Sequence, residues 1–423
     1  IISEKPIQYF SATNLPPKGY PLVQFDMVHA EDVGLYKFDI LSQRGLGKVK
    51  DSLEMVKASG RERELDIHAA QRFFEDEKIK ALLRNGEAMG CFYVESPAMR
   101  MLLKKLKADT YLALVAASSI IRPGVARSGM MREYILRSQS NSDEWRKKTP
   151  KVMQDLMEET YGVMVYQEDV IKVAHHFAKL SLGEADVLRR GMSGKFRSRA
   201  EFDKVKQQFF DNCEREGYPN ALTKEVWRQT ESFAGYAFSK GHSASYAVES
   251  YQSLYLKAHY PMEFILGVLN NGGGFYSTEM YVHEARKLGA TVEAPCINKS
   301  EYLSVLRGEK IIYLGFYLVQ DLESRVVERL LKVRASGGDF LDLSDFVNRC
   351  AISLEQLSLL VRSGAFRFSG KSKQELLWEV HQLLSRSKKV VETHNLFRLE
   401  AQKFKLPALD QVDYEDAFDQ MEL

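Results

Sequence analysis

Asp39 lies within an apolar run that has the length and pattern of a β-strand, residues 34–41 (GLYKFDIL). Aspartate is disfavoured in strands, and a buried carboxylate without a partner is costly, so an acid at such a position usually faces a cation. Lys37 lies two residues earlier, on the same face of the predicted strand. The pair suits a metal-bound phosphate, because the acid can hold Mg²⁺ while the lysine neutralises phosphate charge. An edge-strand salt bridge is the simpler explanation of the same pair.

Phosphoryl transfer by two metal ions needs more than one carboxylate around the metals. The chain contains no Asp-x-Asp pair that could join Asp39. If Asp39 is a Mg²⁺ ligand, we therefore expect its partner carboxylates to lie outside this sequence. The first residue is Ile1 rather than Met, which also favours a chain that is part of a longer polypeptide.

A second candidate is the pair of adjacent arginines, Arg189 and Arg190, at the end of a predicted helix within residues 185–195 (ADVLRRGMSGK). Two glycines and Lys195 follow the pair. Planar guanidinium groups bind triphosphates or backbone phosphates through forked hydrogen bonds. Basic side chains at a helix C-terminus also complement the helix dipole, and this alternative explains the pair equally well.

Residues 233–246 (FAGYAFSKGHSASY) combine aromatic side chains, two glycines, Lys240 and His242. A loop that enters a helix at Ser243 could present backbone N–H groups, a cation and stacking faces to a nucleotide, with Tyr246 as the last aromatic of the segment. The simpler interpretations are that Ser243 caps the helix and that His242 is a structural histidine.

Basic residues are concentrated in two segments, although the net formal charge is only +2. Residues 122–151 hold eight basic and three acidic side chains, and residues 186–206 hold seven basic and three acidic side chains. The first segment begins with Arg122, Arg127 and Ser128, which precede a predicted helix. Contact with phosphates and a solvated basic face are both consistent with this pattern.

The elements that must position these residues are mostly helices. Residues 1–62 show strand-length apolar patterns and then helical spacing, whereas residues 63–290 repeat apolar residues at intervals of three and four. Residues 291–370 contain short alternating elements, and residues 371–423 a helix followed by an acidic tail. We therefore predict a mainly α chain, α+β overall, with domain limits at these positions.

Local signals also indicate where several helices begin and end. Ser96 followed by Pro97 is a helix start, and residues 270–274 (NNGGG) interrupt any regular element. Gly337 and Gly338 are expected to end a helix that begins near Ser324.

The composition is that of an ordinary soluble globular protein, with 45% hydrophobic and 27% charged residues over 423 residues. No apolar run is long enough to span a membrane. The four cysteines have no metal-ligand spacing, so we expect neither zinc nor a disulfide framework, and a reducing cytoplasm fits.

Together these segments resemble the C-family DNA polymerases, the family of the bacterial DNA polymerase III alpha subunit. Residues 34–41 resemble the palm strand that bears the family's third catalytic aspartate, and residues 90–109 (GCFYVESPAMRMLLKKLKAD) resemble the stretch that opens the fingers. Further fingers motifs are matched, in order, by residues 121–130 (IRPGVARSGM), 160–170 (TYGVMVYQEDV), 181–192 (SLGEADVLRRGM), 233–247 (FAGYAFSKGHSASYA) and 250–264 (SYQSLYLKAHYPMEF).

The resemblance implies a β/α remnant of the palm in residues 1–62, an all-helical fingers domain in residues 63–290 and a helix-hairpin-helix-like domain in residues 291–370. It implies that Asp39 is a Mg²⁺ ligand and that Lys37 contacts phosphate nearby. The nucleotide-binding residues that it implies are Arg189, Arg190, Lys240, His242, Ser243 and Tyr246, and the DNA-binding residues are Arg122, Arg127, Ser128 and Lys195.

The implied reaction is attack of a primer 3′-hydroxyl on the α-phosphate of a dNTP, assisted by two Mg²⁺ ions of which only Asp39 of this chain is a ligand. The implied partners are primer-template DNA, the dNTP and, through a full-length protein, a sliding clamp and other replisome subunits in the bacterial cytoplasm. Because two of the three palm carboxylates are missing, we expect this chain to bind but not to catalyse by itself. The alternatives are a non-catalytic DNA-binding module and a structural module.

One departure from the family concerns the hairpin between residues 291 and 370. The expected glycine is replaced within residues 319–322 (VQDL). Glycine lets backbone N–H groups approach a phosphate closely, so its loss puts DNA contact by this hairpin in doubt.

Overall fold

A computed structural model describes the following residues of the chain: 2–3, 5–10, 13–14, 21–25, 27–38, 43–61, 64–121, 129–140, 144–192, 199–232 and 239–385. The chain forms two compact units, Ile1–Arg44 and Gly45–Leu423, and each is described by itself. None of the helices in the described ranges is both long and apolar enough to cross a membrane.

Among its described residues, the first unit contains short strands, a 3₁₀ helix (Ile7–Phe10) and one α-helix. Its elements are β1 (Ile2–Ser3), β2 (Thr13–Asn14), β3 (Pro21–Leu22), α1 (Met27–Asp32) and β4 (Leu35–Tyr36). β1 pairs with β4 and β2 pairs with β3, both antiparallel. The predicted strand over residues 34–41 is thus observed as β4 at its N-terminal end, and Lys37 is exposed directly after it. Asp39 lies outside the described residues, so its position beside Lys37 stays a prediction.

Most of the second unit is helical, as the three- and four-residue spacing predicts. Its first group of helices is α2 (Arg44–Ala58), α3 (Ala70–Phe74), α4 (Glu77–Asn85), α5 (Pro97–Leu106), α6 (Tyr111–Ile120), α7 (Met130–Gln139), α8 (Glu144–Lys148) and α9 (Lys151–Leu156). The second group is α10 (Gln167–His176), α11 (Leu182–Met192), α12 (Arg199–Arg215), α13 (Asn220–Ser232), α14 (Lys240–His259), α15 (Pro261–Asn270) and α16 (Thr278–Lys287).

The longest helix of the described chain, α14, forms the centre of this bundle. It packs against α3, α4, α6 and α15, and every residue from 250 to 257 is buried. A helix that is buried on all sides loses the one-sided apolar pattern of a surface helix. Its position therefore holds the N-terminal turns of α14, which carry Lys240 and His242, on a rigid support.

Close helix packing in this unit depends on Gly267 of α15. A Cβ atom at this position would lie 2.4 Å from Ser52 Oγ and 3.0 Å from the carbonyl oxygen of Lys48, both on α2. Only glycine permits this approach, because any side chain would collide with the backbone of the neighbouring helix. The interruption expected at residues 270–274 is confirmed, since α15 ends at Asn270.

The C-terminal part has a small sheet and a separate hydrophobic core. Its elements are β5 (Thr291–Glu293), β6 (Val305–Arg307), β7 (Ile311–Tyr313), α17 (Ser324–Gly337), α18 (Leu343–Arg349), α19 (Leu354–Arg362) and α20 (Lys373–Ser385). β7 lies in the middle, parallel to β5 and antiparallel to β6. Phe316, Phe340, Phe346 and Phe366 are fully buried in this core, which gives the short elements enough apolar contact to pack together.

Candidate functional site

The first two turns of α14 carry four of the predicted nucleotide-binding residues. Lys240 begins the helix, three residues before the start expected at Ser243. Its backbone N–H donates to both carboxylate oxygens of Glu168, at 3.1 and 3.0 Å, and this contact satisfies a donor that the helix itself leaves unpaired. The Lys240 ammonium lies 2.5 Å from Glu159 Oε1 and 5.1 Å from the centre of the Tyr166 ring. The cation is therefore held in place by one carboxylate and one aromatic face.

Ser243 is fully buried within α14 rather than capping it. Its hydroxyl lies 2.6 Å from that of Ser119 on α6, and Tyr111 donates a hydrogen bond of 2.8 Å to the carbonyl oxygen of Ala244. The interpretation of Ser243 as the helix N-cap is therefore wrong, because Ser239 occupies the N-cap position. Its direct contact with a nucleotide stays a prediction.

Tyr246 belongs to an aromatic cluster at the same end of α14. Its ring centre lies 5.5 Å from that of Phe92, 5.0 Å from that of Tyr93 and 6.2 Å from the ring of His242. Tyr93 has a φ of 65°, a left-handed conformation that is costly for an aromatic residue and tends to persist at functional sites. Sequence reasoning assigned no role to Tyr93, although it lies within the motif of residues 90–109.

Arg189 and Arg190 lie in the last turn of α11, and both pair with the same carboxylate. Arg189 Nε lies 2.8 Å from one oxygen of Asp186, and Arg190 Nε lies 2.9 Å from the other. The spacings of three and four residues place the three side chains on one helix face. The two guanidinium groups thus lie side by side at the C-terminal end of this helix, both in contact with Asp186.

The two groups of cations are connected through α10. Glu168, which holds the backbone of Lys240, lies in the first turn of α10, and α10 packs along α11. α11 in turn packs against α12. One run of helices thus joins the N-terminus of α14 to the helix that ends with the two arginines.

Several predicted site residues lie outside the described residues: Asp39, Arg122, Arg127, Ser128 and Lys195. Within the described ranges, no group of three or more His, Cys, Asp or Glu side chains is arranged to hold a metal ion. The four cysteines are free and individually buried. Mg²⁺ binding by Asp39 therefore stays a prediction from the sequence.

A buried ion pair that the sequence did not reveal supports the loop before α5. Lys48 Nζ lies 3.8 Å from Glu95 Oε1, and both side chains are almost fully buried. The backbone N–H groups of Gly90 and Phe275, each at 2.9 Å, and the Tyr281 hydroxyl at 2.7 Å also donate to Glu95. Such a carboxylate is fully satisfied, so it fixes the loop that carries Tyr93.

A second buried pair lies close to the first. Lys257 Nζ lies 2.8 Å from Glu284 Oε1 and donates at 2.8 Å to the carbonyl oxygen of Met89. Cys91 lies near both pairs, and burial raises the pKa of its thiol to about 12. The thiol is therefore neutral at physiological pH and unsuited to act as a nucleophile.

Glu249 is a third acid in this region. Its Oε1 is buried and accepts no hydrogen bond within the described part of the chain. Burial raises the pKa of Glu249 to about 7, against the opposing attraction of Lys48. No sequence motif indicated a role for Glu249. Its burial depends on α2, which is distant in the chain. The two helices are so close that a Cβ atom at Gly45 of α2 would lie 2.6 Å from Glu249 Oε1.

Glu249 is expected to make stability depend on pH. Because its folded-state pKa of about 7 exceeds the ordinary value of 4.5, the folded chain binds the proton more tightly. Stability should then fall as pH rises from about 4.5 to 7 and stay low above that range. Urea unfolding at pH 5.5 and 8 should show Glu249→Gln gaining about 1 kcal/mol over the wild type at the higher pH, a value discounted for partial solvent access. Glu54→Gln is an exposed control and should leave the pH dependence of the unfolding free energy unchanged. If Glu249→Gln and the wild type showed the same pH dependence, the expectation would be contradicted.

Comparison with known proteins identifies the fold around these residues. The family model for the bacterial DNA polymerase III alpha subunit finger domain matches residues 46–217. DNA polymerase III subunit alpha of Aquifex aeolicus (strain VF5) is 32% identical to the chain over 385 residues, which is 90% of the chain and 32% of the relative. The chain belongs to the DNA polymerase III alpha subunit family.

Two other alpha subunits align with the same part of the chain. That of Staphylococcus aureus (strain MRSA252) is 32% identical over 388 residues, covering 91% of the chain and 35% of the relative. That of Campylobacter jejuni subsp. jejuni serotype O:2 is 31% identical over 379 residues, covering 88% of the chain and 31% of the relative. The chain thus spans about a third of the length of these alpha subunits.

The finger-domain match contains the aromatic loop at Tyr93 and the arginine pair at the end of α11. A helix-hairpin-helix motif matches residues 289–376. In this hairpin Asp321 adopts a φ of 60°, so the turn keeps a left-handed residue without the expected glycine. The side chain of Gln356 accepts from the backbone N–H of Glu323 at 2.7 Å and donates to the carbonyl oxygen of Asp321 at 3.0 Å. One backbone donor of the hairpin, the N–H of Glu323, is therefore engaged by Gln356 and is not available to a phosphate.

Proposed function

We propose that the chain provides the fingers and the end of the palm of a template-directed DNA polymerase, and that it binds the incoming dNTP and primer-template DNA. The observation that carries this proposal is the arginine pair of α11, which lies inside the finger-domain match and in which both guanidinium groups contact Asp186. In this proposal the helices bind and orient the nucleotide, and positioning with electrostatic stabilisation accounts for most of the catalysis of phosphoryl transfer.

The nucleotide triphosphate would replace Asp186 as the partner of Arg189 and Arg190. Lys240 would similarly exchange Glu159 for phosphate oxygens, while its backbone stays anchored to Glu168. The rings of His242 and Tyr246 would pack against the base or the sugar. Divalent metal ions, with Asp39 as one ligand, would stabilise charge on the reacting phosphate when bound.

Two measurements test this proposal. Titration of the chain with dNTP and with primer-template DNA should show binding, and DNA affinity should fall steeply as salt is raised, because phosphate contacts release counterions. Primer extension should require a polypeptide that also carries the rest of the palm. Extension by the 423-residue chain alone would contradict the expectation that catalysis needs two palm carboxylates outside this sequence.

Arg190→Ala is expected to weaken dNTP binding by roughly tenfold, because half of a charge-assisted clamp is removed. Asp186→Asn should have the opposite effect and strengthen binding, because the competing carboxylate is neutralised while its size is kept. Equilibrium titration with a fluorescent dNTP analogue measures both variants. Arg228→Ala is a control, since Arg228 forms its own pair with Glu225 at the surface. Unchanged affinity in both Arg190→Ala and Asp186→Asn would remove the arginine pair from the nucleotide site.

A non-catalytic DNA-binding module is the second candidate for the chain taken alone. The observation that favours it is the pair of adjacent arginine side chains at the end of α11, whose forked donors can bind backbone phosphates. DNA binding without dNTP binding would favour this candidate.

The polymerase proposal also includes partners and a location for the parent protein. The partners are a sliding clamp and other replisome subunits, and the location is the bacterial cytoplasm.

A further inference from the structure

Tyr93 is an aromatic residue at the N-terminal end of α14 that has no role in the proposed function. Its ring centre lies 5.0 Å from that of Tyr246 and 6.0 Å from that of Phe92. The side chain is half-buried, and its hydroxyl is accessible and makes no hydrogen bond to a residue that the structure describes. Ring and hydroxyl are therefore both able to contact a molecule that lies against Tyr246.

The backbone of Tyr93 is strained. Its φ of 65° lies in the left-handed region, which a bulky side chain disfavours and which persists only where the surrounding contacts impose it. Gly90, three residues earlier, also has a positive φ, of 83°. The loop between α4 and α5 thus turns sharply twice, and contacts from outside the loop must hold Tyr93 in its position.

Glu95 makes these contacts. Its Oε2 accepts from the backbone N–H of Gly90 at 2.9 Å and from the Tyr281 hydroxyl at 2.7 Å, and its Oε1 accepts from the backbone N–H of Phe275 at 2.9 Å. Lys48 Nζ lies 3.8 Å from Oε1 and donates at 3.3 Å to the carbonyl oxygen of Gly90. Because these groups are buried, a displaced carboxylate would leave several of them unpaired at once.

The other side of this anchor is the glycine-rich loop between α15 and α16. The Tyr281 hydroxyl accepts from the backbone N–H of Tyr276 at 3.2 Å and donates in turn to Glu95, 186 residues away in the chain. A Cβ atom at Gly274 would collide with Glu95 Oε1, so the loop comes this close only because Gly274 has no side chain. The start of α16 and the loop before it therefore fix the loop that carries Tyr93.

We propose that Tyr93 is a further nucleotide-contacting residue and that Glu95 is the positioning residue that holds its ring beside Tyr246. This role rests on the proposed function, because Tyr93 meets a nucleotide only if Tyr246 does. The ring of Tyr93 packs against the base or the sugar of the dNTP. Glu95 is buried and does not touch the nucleotide, so it acts through the orientation of Tyr93.

Tyr93→Gly and Tyr93→Phe test the contact. Glycine removes the ring together with the backbone strain, because it adopts a positive φ without a penalty. Titration of the 423-residue chain with a fluorescent dNTP analogue should give an affinity about tenfold weaker for Tyr93→Gly and within about threefold of the wild type for Tyr93→Phe. The urea midpoint of Tyr93→Gly should fall only slightly, since relief of strain offsets part of the lost packing. Weaker binding with little loss of stability is not expected of a residue whose role is only structural.

A double-variant cycle tests the positioning role. Glu95→Gln places an amide where an acceptor oxygen was, and it should weaken binding of the dNTP analogue by about fivefold. In a Tyr93→Gly background the same substitution should have no further effect on affinity, because the ring that Glu95 orients is absent. Tyr281→Phe removes a single donor to Glu95 and should weaken binding by about fourfold with the same dependence on Tyr93. This milder variant carries the test if Glu95→Gln fails to fold.

Tyr317→Phe is the matched control for Tyr281→Phe. It removes a tyrosine hydroxyl that donates at 2.6 Å to the carbonyl oxygen of Leu269, outside the anchor. Its affinity should stay within about twofold of the wild type. Losses that add up in the double variants would overturn the positioning role. Unchanged affinity in Tyr93→Gly, with weaker binding in Arg190→Ala, would overturn the contact and leave the proposed function standing. If the wild-type chain does not bind the dNTP analogue, the proposed function fails, and the role of Tyr93 fails with it.

Discussion

Asp39→Asn is expected to abolish primer extension in a polypeptide that carries the complete palm together with this chain. Asparagine keeps the size of the side chain and removes the charge that holds a divalent cation, so the metal would be bound weakly or misplaced. We expect the rate to fall by about a thousandfold or more, which corresponds to ~4 kcal/mol of lost transition-state stabilisation. Single-turnover primer extension measures this loss, and a DNA-binding titration on the same sample should show nearly unchanged affinity.

Asp32→Asn is the matched control for this experiment. Asp32 is an exposed aspartate at the end of α1, and the substitution makes the same chemical change in the same compact unit. Its extension rate should equal that of the wild type. Full activity in Asp39→Asn would remove Asp39 from the metal site and leave the edge-strand salt bridge with Lys37 as the better explanation.

Lys257→Met is expected to cause the largest loss of stability. The Lys257 side chain is 1% exposed, and its ammonium lies 2.8 Å from both Glu284 Oε1 and the carbonyl oxygen of Met89. Removing it leaves a buried carboxylate without its counter-charge and a buried carbonyl without its donor. Breaking a buried pair on one side typically costs about 3–5 kcal/mol in the free energy of unfolding. Urea denaturation followed by circular dichroism measures the change.

Two controls show whether the loss comes from the unpaired charge. The double variant Lys257→Met with Glu284→Leu removes both charges and should recover most of the stability, since buried pairs contribute little relative to apolar residues of similar volume. Lys50→Met removes a surface partner of Glu54, where both side chains are more than half exposed, and should cost less than about 0.5 kcal/mol. A double variant no more stable than Lys257→Met would show that packing, rather than the unpaired carboxylate, causes the loss.

Local patterns in the sequence were sufficient to predict the positions of most helices. Ser96 caps α5 through the backbone N–H of Met99, and Pro97 occupies the first turn, as predicted. Gly338 follows the end of α17, also as predicted. These signals act over three or four residues, and their physical cause is the set of unpaired backbone groups at helix ends.

The N-terminus of α14 shows where local reasoning fails. Ser243 has the chemistry of an N-cap, yet the helix begins at Lys240 because Glu168, 72 residues away, accepts from its backbone N–H. Strand β7 is likewise limited to Ile311–Tyr313, the residues that pair with β5 and β6. In both cases a partner distant in the chain decides the boundary.

The sequence by itself determined which residue types meet within one turn of helix. The pairing of Asp186 with Arg189 and Arg190 follows from spacings of three and four, and the collinear motifs indicated the polymerase family before any contact was known. Helical periodicity brings such side chains together whatever the rest of the fold does.

Only the tertiary structure decided which buried charges have partners. Glu159 meets Lys240 across 81 residues, and Lys48 meets Glu95 within the core. Glu249 and Glu263 each keep one carboxylate oxygen without a donor among the described residues. No local pattern encodes these outcomes, because the cost of burying a carboxylate depends on which helices pack around it and on the donors that they bring.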